Sequence, residues 1–157
     1  MKIRSAIAQD LDTLNEFMFQ LHDEHHQQSP DYFKSAEEIE QEKSIARYLD
    51  NPECLVLVAL DASSQQIVGF VSGHFCELIS TVSQPLQMGS LDELYVLPTY
   101  RQQGVAQQLC DEMALRFEQY GVEEMFVEVW QFNQSALALY ERLGFEPHIH
   151  WLKKTLK

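Results

Sequence analysis

Apolar positions along the chain change period several times, and each change marks an element. "KIRSAI" is a short strand. From Ala8 to His26 the residues Leu11, Leu14, Phe17, Met18 and Leu21 recur at helical spacing, with Asp10 or Asp12 placed as an N-cap. "SPDYFKS" reads as a loop, and "SAEEIEQEKSIARYLDNP" as one acidic helix stopped by Asn51 and Pro52. "CLVLVALD" and "QIVGFVSGHFCELI" are β-rich runs joined by the turn "ASSQ"; "MGSLDELYVLP" continues the meander. Val105, Leu109, Met113 and Phe117 then stripe a helix from Gly104 to Gln119. "EEMFVEVW" is a buried-looking strand, "NQSALALYERLG" a short helix and "HIHWLKKTL" a final strand. Strand, helix and strand after residue 90 predict a parallel, right-handed crossover. The pattern predicts a single α/β (α+β) domain over residues 1–157: a mixed, mostly antiparallel twisted sheet of about six or seven strands flanked by about four helices.

Composition narrows the partners. A chain of 157 residues carries one core comfortably. Its net charge of −13 argues against nucleic acid, which selects a basic face, and weakly favours cationic partners. No apolar run approaches the roughly 18 residues of a membrane span, and "MKIRSAIAQD" lacks the apolar centre of a signal peptide. Cys54, Cys76 and Cys110 are odd in number and set in apolar patterns, as reduced thiols of a cytoplasmic protein are.

One turn stands out. In "LYVLPTYRQQGVAQQL", Pro98 ends a strand and Arg101-Gln102-Gln103-Gly104-Val105-Ala106 precedes a helix. Gly104 permits a positive φ and Ala106 permits close approach, so free backbone N–H groups at the helix start can converge on a phosphate. This gives an acidic protein a way to hold a polyphosphate without a basic patch. The stretch lacks the Gly-Lys-Ser/Thr ending of a P-loop and two of the glycines of a dinucleotide fold.

"LDELYVLPTYRQQGVAQQL" followed by "VEVWQFNQSALALYERLGF" resembles the GNAT superfamily of acyl-CoA-dependent N-acetyltransferases. The family's (Q/R)-x-x-G-x-(G/A) signature falls on Arg101 to Ala106, with Ala106 where many members have glycine. Its "N…A…Y…GF" segment falls on Asn133, Ala136, Tyr140, Gly144 and Phe145. The resemblance covers residues 90 to 146. It implies that the anion is the pyrophosphate of coenzyme A, bound by Arg101, Gln102, Gln103, Gly104, Val105 and Ala106. It also implies that acetyl-CoA donates its acetyl group directly to an amine, with no metal and no covalent enzyme intermediate.

That chemistry has three needs. The amine must lose a proton, the carbonyl oxygen must meet a donor as it gains charge, and the thiolate must be stabilised. The resemblance implies a backbone donor beside a bulge in "LDELYVL", with Leu94, Tyr95 and Val96 along the pantetheine arm. It places Tyr140 at the thiolate, although on its helix face the bland reading is a core tyrosine. Asn133 caps that helix and touches coenzyme A in family members. Asp92 and Glu93 are the candidate bases; strand alternation sends them to opposite faces, so only one reaches the acceptor. Asp92, matching the carboxylate of the polyamine-acetylating members, is first choice, and Glu93 acts through water.

The remaining polar clusters read as surface. His22 and His26 lie one helical turn apart but do not form H-E-x-x-H, and His148 and His150 share a strand face; neither pair is expected to hold a metal. Glu37, Glu38, Glu40 and Glu42 form an exposed helix face. The expected acceptor is a small-molecule amine, cationic like a polyamine, aminoglycoside or amino-acid-like amine. A protein N-terminus or lysine is the alternative, and a non-catalytic acyl-CoA-binding module the alternative of another class. A homodimer is expected by analogy with the superfamily.

Overall fold

The computed structural model describes residues 1–157. A five-stranded sheet in the order β1 (Lys2–Ser5), β2 (Cys54–Leu60), β3 (Ile67–Leu78), β4 (Leu86–Val96), β5 (Glu124–Val127) divides the molecule. The first four strands are antiparallel neighbours, and β5 runs parallel to β4 after the predicted crossover. Helices α1 (Leu11–Gln28), α2 (Ala36–Glu42) and α3 (Ala46–Asp50) precede the meander; α4 (Val105–Gln119) and α5 (Gln134–Arg142) follow it.

Alternation along the strands builds a core on each face. Val56, Val58, Phe70 and Tyr95 meet Leu14, Phe17 and Met18 of α1, with Ile45. Leu57, Ala59, Val71 and Leu91 meet Val105, Leu109, Met113 and Phe117 of α4, together with Tyr140 of α5. The Phe117 ring lies against bare backbone: a Cβ added at Gly89 would come within 2.6 Å of it, and one at Gly73 within 3.0 Å. Large-to-small pairing of this kind lets a helix seat close to a sheet.

Three expectations need correction. The single helix from Ser35 to Pro52 is two, broken at Lys43–Ile45, where Lys43 is extended, the Ser44 hydroxyl accepts from Ala46 N–H and Ile45 is buried. The break frees Lys43 to reach the sheet. The strand expected over residues 123–130 stops at Val127, because pairing with β4 ends at Leu91↔Val127. The final strand is absent: residues 145–157 have no regular structure, and Ile149, Trp151, Leu152 and Leu156 are exposed. The sheet therefore has five strands where six or seven were expected.

Candidate active site

The site originates in one extra residue. On β3 and β4, Ser72 pairs with Glu93 and Gly73 with Leu91, so Asp92 opposes nothing and forms a β-bulge. Ser72 and His74 point to the α1 face of the sheet, as do their partners Glu93 and Ser90. The inserted Asp92 joins them. Strict alternation would have separated Asp92 from Glu93; the bulge cancels it, and both carboxylates line one cavity of about 300 Å³ with Lys43, Tyr48, His74, Ser90, Leu91 and Glu128. The expectation that only one reaches the acceptor side is thus overturned.

The bulge also marks where β4 and β5 part. Beyond it, Leu97 N–H donates to Val68 O at 2.8 Å. Antiparallel alternation then turns the amides of Leu94 and Val96 away from β3, toward the side where β5 has ended. Two strand amides are left facing an opening, and they belong to residues that the family resemblance expects along the thioester arm. The Tyr95 ring points the opposite way, 5.2 Å from the Phe17 ring in the α1 core, so that residue offers the arm its backbone only.

Within the cavity, Asp92 is the hub. Its Oδ2 accepts from the Tyr48 hydroxyl at 2.9 Å and lies 2.6 Å from His74 Nδ1; its Oδ1 accepts from the Ser90 hydroxyl at 2.8 Å. Burial, then the charges of Glu93 and Asp92, pushes the Tyr48 hydroxyl well above the ordinary tyrosine value, so it stays a donor. The Cys54 thiol, opposite His74 on β2, is raised by burial and then by Asp92, Glu53 and Glu93, and stays protonated. Glu93 is deeper, its side chain only 2% exposed. Its Oε2 accepts from the Ser72 hydroxyl at 3.0 Å, and Lys43 Nζ lies 3.0 Å from Oε1, off the line of an ideal hydrogen bond. Ser72 in turn accepts from Glu93 N–H, which locks backbone and side chain together at the bulge.

The turn before α4 has the predicted geometry. Gly104 has φ +82° with open space where a Cβ would lie, and Gln102 is also left-handed at φ +63°. The first helical bond runs from Gln108 N–H to Gly104 O, so the amides from Gln102 to Gln107 donate to no backbone carbonyl. Those donors sit at the positive end of a 15-residue helix. Val105 is buried in the core and fixes the turn to the sheet, while Ala106 packs at its edge. Arg101 is less free than the motif implies. Its Nε donates to Val96 O at 2.7 Å, its Nη2 pairs with Glu24 at 2.7 Å and its guanidinium lies over the Tyr95 ring. Gln103 folds back onto Thr99 O.

Tyr140 and Asn133 lie apart from the carboxylates. Asn133 caps α5, its side chain accepting from Ala136 N–H at 3.2 Å, and Gly144 ends the helix at φ +95°. Tyr140 is buried between α5, α4 and Phe145, and its hydroxyl makes no hydrogen bond to the protein. Burial, then nearby Cys110, raises it above the usual tyrosine value; the Cys110 thiol is itself pushed up to about 12. His22 is half-buried beside Lys43, and His26 Nδ1 is engaged with Phe33 O, so these two do not act as a pair.

Sequence reading missed His74, Tyr48, Lys43 and Glu128. For His74 a signal existed: Ser72 and His74 are polar residues on one face of an otherwise apolar strand. Lys43 and Tyr48 carried none, since their placement depends on the helix break.

Comparison with known proteins agrees with this anatomy. The sequence profile of the acetyltransferase (GNAT) family matches residues 16–145. An acetyltransferase from Vibrio fischeri of known structure is 52% identical, the match covering 83% of this chain and 97% of that one with a TM-score of 0.69. The [ribosomal protein bS18]-alanine N-acetyltransferase of Escherichia coli (strain K12) is 37% identical over 60 residues, which span 38% of this chain and only 40% of that enzyme. The apo aminoglycoside 6'-N-acetyltransferase AAC(6')-IG of Acinetobacter haemolyticus shares the fold at 21% identity, with all of both chains covered and a TM-score of 0.69. Matched over most of its length, as its paired motifs in residues 90–146 imply, the chain belongs to the acetyltransferase (GNAT) family.

Proposed function

We propose that this acetyltransferase moves the acetyl group of acetyl-CoA to the primary amine of a small cationic molecule. One observation carries the choice of acceptor: the cavity of about 300 Å³ beside the strand opening is walled by Asp92, Glu93 and Glu128 against a single ammonium, Lys43. An alkylammonium entering it meets excess negative charge in a partly desolvated site, where Coulombic attraction is strongest.

The residues present fit the co-substrate. The free amides of residues 102–107, with Gly104 leaving room, suit a diphosphate. Acetyl-CoA supplies an activated carbonyl and a thiolate leaving group. Leu94, Tyr95 and Val96 line its arm with backbone, and the Leu94 amide is the donor for charge developing on the carbonyl oxygen. Asn133 fixes α5, from which Tyr140 stabilises the departing sulfur; its raised proton affinity suits a hydrogen bond better than full transfer. Arg101 braces β4 against α1 and frames the cradle with Gln102 and Gln103. Asp92 and Glu93 form the acid floor that receives the ammonium.

The relationship to a ribosomal-protein alanine acetyltransferase favours a second acceptor, a protein N-terminus. A thiol-release assay with polyamines, aminoglycosides, amino-acid-like amines and an alanine-led peptide separates the readings. Release with the small cations supports the proposal, and release with the peptide alone replaces it. Coenzyme A binding without release for any amine leaves an acyl-CoA-binding module. We place the protein in the cytoplasm, supported by three free thiols, and expect a homodimer, tested by sedimentation.

A further inference from the structure

We propose that His74 is the group that takes the proton from the acceptor amine, with Asp92 as its positioning residue. The inference rests on the acetyltransferase reading above and deepens it. An ionised carboxylate only accepts hydrogen bonds. Asp92 already accepts from Tyr48 and Ser90, so the short contact of 2.6 Å requires the hydrogen to sit on His74 Nδ1. In the neutral ring the lone pair is then on Nε2, and Nε2 has no partner in the protein. His74 is 40% exposed against 16% for Asp92, and both line the cavity that opens at the strand bulge. Asp92 already accepts at both oxygens from three neighbours, whereas the more exposed imidazole presents an unshared electron pair to whatever enters.

The proton balance closes. The acceptor ammonium gives a proton to His74 Nε2, and the imidazolium releases it to water through the open side of the cavity. The amine lone pair forms the C–N bond as the thioester C–S bond breaks, and the remaining excess amine proton ends on the departing sulfur. The groups around His74 are Tyr48 from α3, Lys43 from the helix break, Cys54 from β2 with Glu53 just before it acting on that thiol, Asp92 and Glu93 from β4, and Glu128 beyond β5. Tyr48 and Cys54 stay protonated, and Glu93 is committed to Lys43 and Ser72.

Long-range ¹H–¹⁵N spectra of the free protein test the tautomer, and pH–rate profiles test the role. The expected results are an Nδ1–H tautomer that Asp92→Asn disturbs, and a fall in kcat/KM on the order of 10²-fold in His74→Gln with loss of the acidic limb. Partial rescue of His74→Ala by added imidazole is also expected, with coenzyme A affinity, read by calorimetry, unchanged throughout. An Nε2–H tautomer, or a His74→Gln enzyme that keeps its rate and acidic limb, overturns the assignment alone. Failure of the wild type to release thiol with any amine overturns the function and the assignment together.

Discussion

Replacing Lys43 by methionine tests the electrostatics of the site without touching the reacting groups. The Glu93 side chain is 2% exposed and has two stabilising partners, the Lys43 ammonium at 3.0 Å and the Ser72 hydroxyl at 3.0 Å. Stripping one partner from a buried ion pair costs about 3–5 kcal/mol, because the other charge is left uncompensated. Lys43 is itself 43% exposed and the cavity admits water, so solvent screens part of the pair. A cost of about 1–3 kcal/mol is expected. Urea denaturation should show this deficit as a lower midpoint at unchanged slope. Glu93→Gln in the Lys43→Met background should return most of it. A deficit not relieved by the second substitution would mean that only packing of the lysine stem was lost.

Three other outcomes follow from the same coordinates. Tyr140→Phe should lower turnover while leaving coenzyme A affinity, measured by calorimetry, nearly unchanged; unaltered turnover removes Tyr140 from the chemistry. Gly104→Val should cost about 1–2 kcal/mol for its φ of +82° and weaken coenzyme A binding about tenfold or more, whereas Gly144→Ala, strained alike at φ +95°, should lower stability only. Burial, then Lys43 and His25, pushes the His22 imidazole down to about 4, below its unfolded value of about 6.5. Its contribution is complete above the unfolded value and is lost as pH falls toward the folded one. After allowance for partial exposure, urea denaturation should show about 1 kcal/mol lost between about pH 7.5 and about pH 5.5 that His22→Leu does not lose.

What was legible in the sequence is what depends on local rules. The helical stripe of Val105, Leu109, Met113 and Phe117, the αL glycine at 104 and the Asn133 cap each follow from residues within a few positions, and each is in place. The helix break at Lys43 was not legible. No proline or glycine interrupts "EEIEQEKSIARYL", and the break is fixed by distant partners: burial of Ile45 beneath α1 and the pull of Glu93 on Lys43. Alternation misled for the tail as well. "HIHWLKKTL" has strand character, yet the short β5 has diverged from β4 before it and the segment finds no place in this chain's sheet.

The bulge shows why the acid site escaped a reading by period alone, and why it merits the chemical role given to it. Omit Asp92 and β4 alternates cleanly: Ser90, Glu93 and Tyr95 face α1, while Leu91, Leu94 and Val96 face α4. Leu91 and Leu94, three apart and both on the α4 side, are the trace that this insertion leaves in the sequence. Asp92 is therefore the one residue of the strand without a partner on β3, and neither core contains it. It interrupts a ladder that would otherwise close, at the loss of regular pairing, and its side chain is engaged only by Tyr48, His74 and Ser90 around the cavity. A residue that packing does not ask for, kept at a cost to the sheet, is where local rules are expected to yield to function. The same displacement leaves the amides of Leu94 and Val96 facing the gap between the strands, so carboxylate, imidazole and strand donors are brought together by one irregularity in the backbone.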